Sequence, residues 1–333
     1  AEAFRSAFEE LLQANFTEQM DALLKSVLPV IIKLENSSIY DLIDFLEPKQ
    51  DDTLNEKVYK YIDFANKNIK NKGILDFLNG QFVHDDSYNR TKLSIHTRLR
   101  NLFNSTIMQA VMIGKSTLNI EQLIEQRKLL VFNFPKGKMP LEYRILGIFV
   151  LATVKIISFR RDGRTDFTPC HLFIDEFQNF ITPSLQDILE ESRKFGLFLT
   201  LAQQQAGARM KTELFQSILG NTAVKLTGVN ETKSLKILAT ETGETVENLQ
   251  THLAIGRFSL WQKAKIGDTQ KPPVFVSMPT NTLKNKQGMS KEQWEALKTA
   301  QIEAFYRSTV ESTSKQEKSQ ETAVLDEFDS YFN

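Results

Sequence analysis

Along the first third of the chain, the spacing of apolar side chains predicts helices. Apolar residues recur every three or four positions, as on the buried stripe of an amphipathic helix, first at Phe4, Phe8, Leu11, Leu12 and Phe16. Four further segments have the same period: Met20 to Leu34, Ile39 to Leu46, Leu54 to Ile69 and Lys92 to Met112. Strand-like alternation is nearly absent here, so we predict an all-α helical domain over residues 1–115.

The middle of the chain alternates between short apolar runs and helical segments. The runs, which we predict to be strands, are Leu129 to Phe134, His171 to Ile174, Leu197 to Ala202, Thr222 to Thr227, Arg257 to Trp261 and Val274 to Ser277. The helical segments between the first four are Leu141 to Arg161, Pro183 to Phe195 and Lys211 to Leu219. Strands that alternate with helices are typical of βαβ units. Residues 116–285 are therefore predicted to form an α/β domain around a doubly wound parallel sheet.

Two other segments have a distinct character. The run Ile145 to Phe159 is strongly apolar, but it is shorter than the roughly 20 residues needed to span a bilayer, so we predict a helix packed on a sheet. Residues 286–333 are predicted to form a helix, Met289 to Tyr306, followed by a polar stretch, Ser308 to Thr322, that we expect to be disordered. The last apolar and acidic residues, Leu325 to Phe332, are either a frayed end or a motif that docks on a partner.

Charge is distributed unevenly although the chain is neutral overall, with 41 basic and 41 acidic residues. The formal balance is −3 over residues 1–110, +6 over 111–285 and −3 over 286–333. Neutrality therefore excludes binding of nucleic acid through bulk charge, but not through a local basic surface. The only cysteine, Cys170, excludes an internal disulfide framework and suits a reducing compartment.

The sharpest candidate for chemistry is the pair Asp175 and Glu176, which directly follows the predicted strand His171 to Ile174. Ligands of open α/β sheets bind at the carboxyl ends of the strands. In a nucleotide hydrolase the first carboxylate holds Mg²⁺, often through water, and the second orients or deprotonates the attacking water. The alternative is a strand that ends in a solvated acidic turn.

Polar residues near the next predicted strand extend this candidate site. An amide at the tip of that strand, in the run Gln203 to Gln205, could contact a γ-phosphate or a water, or it could be a polar strand end without a role. Arg193, at the end of the connecting helix, could reach a neighbouring subunit as an arginine finger. A basic residue there could equally compensate the helix dipole.

A complete phosphate-binding loop of the form G-x-x-x-x-G-K-[ST] is absent from the sequence. Its best candidate is Gly114-Lys115-Ser116, but Gln109 stands where the first glycine is required, and the preceding residues are predicted to be helical.

Several segments, taken in order, resemble the HerA/FtsK superfamily of hexameric DNA-pumping ATPases, and within it the TraD/TraG-like coupling proteins of conjugation and type IV secretion. The segments are LFIDEF, ESRKFGLFLTLAQQ and ILGNTAVKL, together with the helix, strand, Lys-Gly turn and long apolar helix between Asn119 and Arg161. The resemblance covers roughly Ser94 to Ser277. It implies a RecA-like parallel-sheet ATPase domain, represented by its carboxyl-terminal part and preceded by an all-α domain.

The resemblance also implies roles for individual residues. Asp175 and Glu176 would form the Walker B pair, and Asp175 would hold Mg²⁺ through water. Gln204 would sense the γ-phosphate of ATP, with Gln203 as the second choice, and Arg193 would act in trans. The basic block, residues 111–285 with a formal charge of +6, would face DNA phosphates inside the ring. Its densest cluster of basic residues is Arg160, Arg161 and Arg164, which could also be a solvated helix end.

Three hypotheses for function follow. The first is part of a hexameric, ATP-driven DNA translocase that couples relaxosome or secretion-channel proteins to DNA transfer. The second is a HerA-like translocase of repair or antiphage defence, and the third is a non-catalytic interaction module with a degenerate ATPase fold. The family's phosphate loop (Walker A) precedes its helical domain, so here it would either lie upstream of this chain or be absent from the natural protein. In both cases we expect this chain alone to lack significant ATPase activity. We also expect this chain to be monomeric, whereas the parent would be a hexamer. We also expect it to be cytoplasmic, with any inner-membrane anchor in an upstream segment.

Overall fold

The computed structural model describes residues 5, 8, 9, 16–49, 53–113, 116–140, 142–207, 210–262, 273–277, 286 and 288–305. The chain divides into two compact units. The first comprises Ala1–Ile120, Leu130–Thr153 and Ile302–Asn333, and the second comprises Glu121–Leu129 and Val154–Gln301. Three predictions lie outside the described residues: most of the helix through Phe4, the disorder of Ser308 to Thr322, and the terminal motif Leu325 to Phe332.

Helices form most of the described residues between 16 and 113, as the apolar periodicity predicted. They are α1 (Glu18–Lys33), α2 (Ile39–Phe45), α3 (Glu56–Asn68), α4 (Lys72–Asn79), α5 (Gln81–His84), α6 (Asp86–Phe103) and α7 (Thr106–Met112). Side-chain caps satisfy the free amides at several helix starts: Thr17 caps α1, and Ser38 with Asp41 forms a capping box on α2. The core contains Leu23, Phe45 and Phe82, with the Phe45 and Phe82 rings 5.3 Å apart.

Two helix boundaries differ from the prediction because polar residues cap helices there. The predicted break at Asn71 to Gly73 contains the start of α4, where the Asn71 side chain accepts a hydrogen bond from Ile74 N. The single helix predicted from Lys92 to Met112 is instead α6 and α7. Ser105 separates them by capping α7 through Met108 N.

A lysine is buried in the core of the first unit. Lys92, on α6, is 0% exposed; its ammonium donates to the Phe82 carbonyl oxygen at 3.1 Å and lies 4.4 Å from the Phe82 ring centroid. Burial, and after it repulsion from Lys49, lowers the pKa of Lys92 from 10.5 to about 8. The charged form is therefore disfavoured in the folded state.

Replacing Lys92 with Met should make the stability of the first unit less dependent on pH. Burying the charge costs roughly 3 kcal/mol, whereas the hydrogen bond that the charged ammonium donates to Phe82 is worth about 1.5–3 kcal/mol, so the two effects nearly cancel at pH 7 and we expect the unfolding free energy there to change by less than about 2 kcal/mol. Because the unfolded chain holds the proton up to pH 10.5 and the folded chain only up to about 8, wild-type stability should rise across that window relative to the variant. Urea unfolding followed by far-ultraviolet circular dichroism at pH 7 and pH 10 measures both effects. The exposed Lys60→Met is the control, and an equal pH dependence in Lys92→Met and wild type would contradict the account.

The remaining described elements lie between residues 116 and 305. The helices are α8 (Ile120–Glu125), α9 (Glu142–Phe159), α10 (Pro183–Glu191), α11 (Thr212–Asn221), α12 (Thr232–Thr242), α13 (Val246–His252) and α14 (Lys291–Phe305). The strands are β1 (Cys170–Ile174), β2 (Leu197–Leu201), β3 (Val224–Thr227), β4 (Arg257–Gln262) and β5 (Val274–Ser277). Five of the six predicted strands are confirmed, and α12 and α13 were not predicted.

The strands form two sheets. β1 and β2 are parallel, in the register Cys170↔Leu197 to Ile174↔Leu201, and α10 connects them as a βαβ unit. β3, β4 and β5 form a separate antiparallel sheet in that order. The prediction that β3 continues the parallel sheet is therefore wrong, because its backbone pairs with β4, from Val224↔Gln262 to Thr227↔Ser259.

The predicted strand Leu129 to Phe134 is also corrected. This segment pairs with no strand in the described part of the chain, and Leu129 and Val131 are 90% and 79% exposed. Its apolar composition suited a buried strand, but a strand also needs a neighbouring backbone to accept its hydrogen bonds. Of the helices in the described ranges, including the apolar α9, none is both long and apolar enough to cross a membrane.

Candidate active site

The parallel register brings the carboxyl ends of β1 and β2 to one edge. Asp175 and Glu176 follow β1, and Gln203 and Gln204 follow β2 after Ala202. Backbone hydrogen bonds continue beyond the strands: Ala202 N donates to Ile174 O at 2.9 Å, and Phe177 N donates to Ala202 O at 3.1 Å. The two loops that carry the candidate residues are therefore tied together at their bases.

Glu176 has an unusual backbone conformation at this edge. Its φ and ψ are 47° and 43°, in the left-handed region that non-glycine residues seldom adopt. Its amide donates to Asp175 Oδ1 at 2.9 Å, and the next three residues form a 3₁₀ turn, Phe177–Asn179, anchored by the buried ring of Phe177. Non-glycine residues in this conformation cluster at functional sites, and here the turn sets the direction of the Glu176 side chain.

Two amide side chains hold the Glu176 carboxylate. Gln204 Nε2 donates to Oε1 at 2.8 Å, and Asn179 Nδ2 donates to Oε2 at 3.2 Å. The backbone of Gln204 is held in turn by Asn230, whose Nδ2 donates to the Gln204 backbone oxygen at 3.3 Å. Of the two glutamines considered from the sequence, Gln204 is the one that contacts Glu176. The Gln203 Oε1 atom is buried without a hydrogen-bond partner in the described part of the molecule.

Asp175 is exposed beside this cluster. An exposed carboxylate at the carboxyl edge of a parallel sheet suits Mg²⁺, which keeps several waters and is bound through one or two carboxylates plus substrate phosphates. Among the described residues, no group of three or more His, Cys, Asp and Glu could hold a metal by itself. Asp175 thus fits a metal that arrives with a nucleotide better than a site made only of protein ligands.

Arg193 lies away from this edge. It is exposed in a 3₁₀ turn, Ser192–Phe195, that leads into the amino end of β2, whereas Glu176 follows the carboxyl end of β1. A five-residue strand spans about 16 Å, so Arg193 and Glu176 of one chain do not meet. The buried Ser192 hydroxyl fixes the turn by donating to the carbonyl oxygens of Ile188 and Leu197.

The three clustered arginines have different environments. Arg161 is 2% exposed: it donates to Glu125 Oε1 and to the Phe195 carbonyl oxygen, both at 3.1 Å, and its guanidinium lies 5.0 Å from the Phe167 ring centroid. Arg160 and Arg164 are 67% and 47% exposed and form longer ion pairs, with Glu121 at 3.7 Å and Asp166 at 3.5 Å. The fold thus uses Arg161 internally and leaves two of the three side chains at the surface.

Glu125 is the anionic partner of this buried arginine. Burial acts to raise the pKa of Glu125, but hydrogen bonds from Thr168 and the charge of Arg161 outweigh it, so the pKa of Glu125 lies below its ordinary value. Glu125 therefore stays ionised as the counter-ion of Arg161 at neutral pH.

Sequence reasoning missed Asn179 and Asn230. Asn179 stands three positions after Glu176, and residues i and i+3 of a 3₁₀ turn lie on the same side. The sequence has no clear signal that predicts such a turn here. Asn230 follows β3, which was predicted to belong to another position in the sheet, and no sequence signal connects it with Gln204.

Comparisons with known proteins show a family and a fold that this chain resembles. Residues 169–272 match the family model described as the TraM recognition site of TraD and TraG. A search of curated proteins found no significant match.

Among solved structures, the plasmid coupling protein TrwB in complex with the GTP analogue GDPNP matches with a TM-score of 0.61 and 14% identity, over 86% of this chain and 70% of that chain. TrwB in complex with ADP and Mg²⁺ matches with a TM-score of 0.58 and 14% identity, over 92% and 71%. The unbound bacterial conjugative coupling protein TrwBdeltaN70 matches with a TM-score of 0.58 and 13% identity, over 92% of this chain and 71% of that chain. The predicted fold class, a RecA-like α/β portion preceded by an all-α domain, is confirmed by these matches.

The family match over residues 169–272, together with the fold shared with TrwB, confirms the resemblance of this chain to the TraD/TraG-like coupling proteins.

Proposed function

We propose that this chain is part of an ATP-driven DNA translocase that acts as a coupling protein in conjugative DNA transfer and type IV secretion. The observation that carries the proposal is the contact between Glu176 and Gln204, beside Asp175, where two parallel strands end. It is supported by the fold of TrwB, whose structures include complexes with a GTP analogue and with ADP and Mg²⁺.

Each residue of the cluster then has a defined task. Asp175 would hold Mg²⁺ through water, and the ion would neutralise charge on the phosphates of ATP. The Glu176 carboxylate would orient or deprotonate the attacking water. The Gln204 amide has two N–H bonds and can donate to the γ-phosphate as well as to Glu176, so its contact with the carboxylate would depend on the state of the nucleotide.

The proposal includes an oligomer and partners. Because Arg193 cannot meet Glu176 within one chain, it would act on the site of a neighbouring subunit, as trans-acting arginines do, in a hexameric ring. DNA, single- or double-stranded, would be bound by the basic block of residues 111–285, and relaxosome or secretion-channel proteins would be the other partners. We propose that the chain works on the cytoplasmic side of the inner membrane, to which the whole protein would be anchored through an amino-terminal segment.

Binding of DNA should depend on salt through Arg160 and Arg164. Each phosphate contact adds about 0.9 to the slope of log affinity against log salt for duplex DNA. The double variant Arg160→Ala, Arg164→Ala should therefore make this negative slope shallower by about 2. Fluorescence anisotropy with a labelled duplex at several salt concentrations measures the slope. The matched control is Arg90→Ala, Arg100→Ala, two exposed arginines of the acidic helical domain. An unchanged slope in the first variant, or an equal fall in the control, would remove these two arginines from the proposed DNA surface.

A further inference from the structure

We infer that Asn179 is a positioning residue for hydrolysis: its amide fixes the second oxygen of the Glu176 carboxylate and so sets the plane in which that group meets the attacking water. This inference rests on the proposed function and adds to it a residue that the sequence motifs did not include.

The need for a second contact follows from the geometry of Glu176. A glutamate side chain has several rotatable bonds, and ordering such a side chain costs up to about 2 kcal/mol. The contact from Gln204 to Oε1 fixes one oxygen and leaves the carboxylate free to turn about it. The contact from Asn179 to Oε2, from a different segment, removes that rotation.

Asn179 is held rigidly enough to do this. It ends the 3₁₀ turn that begins after Glu176, and its backbone N–H donates to the Glu176 carbonyl oxygen at 2.9 Å. The turn is tied to the β2 side through Phe177 N and Ala202 O, and the Phe177 ring is 1% exposed. The left-handed backbone of Glu176 and the i to i+3 relation of the turn together place the Asn179 amide against the carboxylate.

The two amides would have different duties during turnover. Gln204 is the residue proposed to respond to the γ-phosphate, so its contact with Oε1 would change with the nucleotide. Asn179 lies in the turn that follows β1 and would keep Oε2 in place while Gln204 moves. A carboxylate displaced by even 1 Å can lose about 10²-fold in rate, so the anchor matters for the chemical step rather than for affinity.

The test compares Asn179→Ala and Asn179→Asp in the protein as its gene encodes it. Alanine removes the donor, while aspartate keeps the shape of asparagine but places a second carboxylate opposite Oε2. We expect kcat for ATP hydrolysis to fall about 10-fold in Asn179→Ala and further in Asn179→Asp, with KM for ATP changed less than twofold. The control is Asn221→Ala, whose amide bonds only to Ser217 on its own helix among the described residues and whose kcat should equal that of wild type.

Two further readouts separate positioning from folding and from the proposed function. In the 333-residue chain, the side-chain amide signal of Asn179 in nuclear magnetic resonance spectra, assigned by its loss in Asn179→Asp, should shift on Glu176→Gln, and an unmoved signal would overturn the contact. If wild type hydrolyses ATP and folded Asn179→Ala does so equally fast, the inference is overturned and the proposed function stands. If wild type does not hydrolyse ATP with Mg²⁺ and DNA present, the proposed function fails and the positioning role fails with it.

Discussion

Replacing Glu176 with Gln in the protein as its gene encodes it should lower kcat for ATP hydrolysis by about 10²–10⁴-fold, the range over which a positioned general base contributes. Glutamine keeps the length of the side chain and can still accept the hydrogen bond from Gln204, but it cannot take a proton from water. Binding of Mg·ATP should be retained, because Asp175, proposed to hold Mg²⁺, and Gln204, proposed to contact the γ-phosphate, are unchanged. Steady-state phosphate release and equilibrium binding of a fluorescent ATP analogue measure the two effects.

The control for this prediction is Glu247→Gln. Glu247 is an exposed glutamate of α13, and its replacement makes the same chemical change far along the chain from the candidate site. It should leave kcat within a factor of two of wild type. Equal losses in both variants would show that the effect is not specific to the edge of the parallel strands.

Replacing Arg161 with Ala should destabilise the second unit by about 3 kcal/mol. The substitution leaves the Phe195 carbonyl oxygen without its donor, where an unsatisfied buried group costs about 1–3 kcal/mol, and it removes a hydrogen bond to a charged group worth about 1.5–3 kcal/mol. It also removes the guanidinium from the Phe167 ring. Both tryptophans, Trp261 and Trp294, lie in the second unit, so urea unfolding followed by tryptophan fluorescence reports on that unit.

Arg160→Ala is the matched control for this measurement. Arg160 is adjacent in sequence, 67% exposed and 3.7 Å from its acidic partner, and exposed ion pairs of this kind contribute about 0–1 kcal/mol. We expect the free energy of unfolding to change by less than about 1 kcal/mol in this variant. Similar stabilities of Arg161→Ala and wild type would contradict the role that the structure gives to the buried guanidinium.

The convergence of Asp175, Glu176 and Gln204 could be predicted because it follows from a general property of parallel sheets. Once His171 to Ile174 and Leu197 to Ala202 are recognised as neighbouring parallel strands, the residues after them must meet at one edge. The sequence could not specify which glutamine points toward Glu176. That choice depends on the backbone after β2 and on the contact from Asn230, a residue distant in sequence.

Other features depended on the detailed course of the backbone. Arg160 and Arg161 are alike in the sequence, but the end of α9 at Phe159 and the turn that follows direct Arg161 inward and leave Arg160 at the surface. The run Leu129 to Phe134 has the composition of a buried strand, yet composition cannot supply the neighbouring backbone that a strand requires. Asn179 acquires its contact from a 3₁₀ turn and a left-handed residue, neither of which has a reliable sequence signal.

The central claim is that Asp175 and Glu176 form the hydrolytic site of a DNA-handling ATPase. Its most direct test is the rate of Mg²⁺-dependent ATP hydrolysis by the protein as its gene encodes it, with and without DNA, in wild type and Glu176→Gln. We predict that the wild-type protein hydrolyses ATP and that DNA stimulates this hydrolysis. In Glu176→Gln we predict that hydrolysis is lost both with and without DNA. Robust DNA-stimulated hydrolysis by Glu176→Gln would contradict the claim.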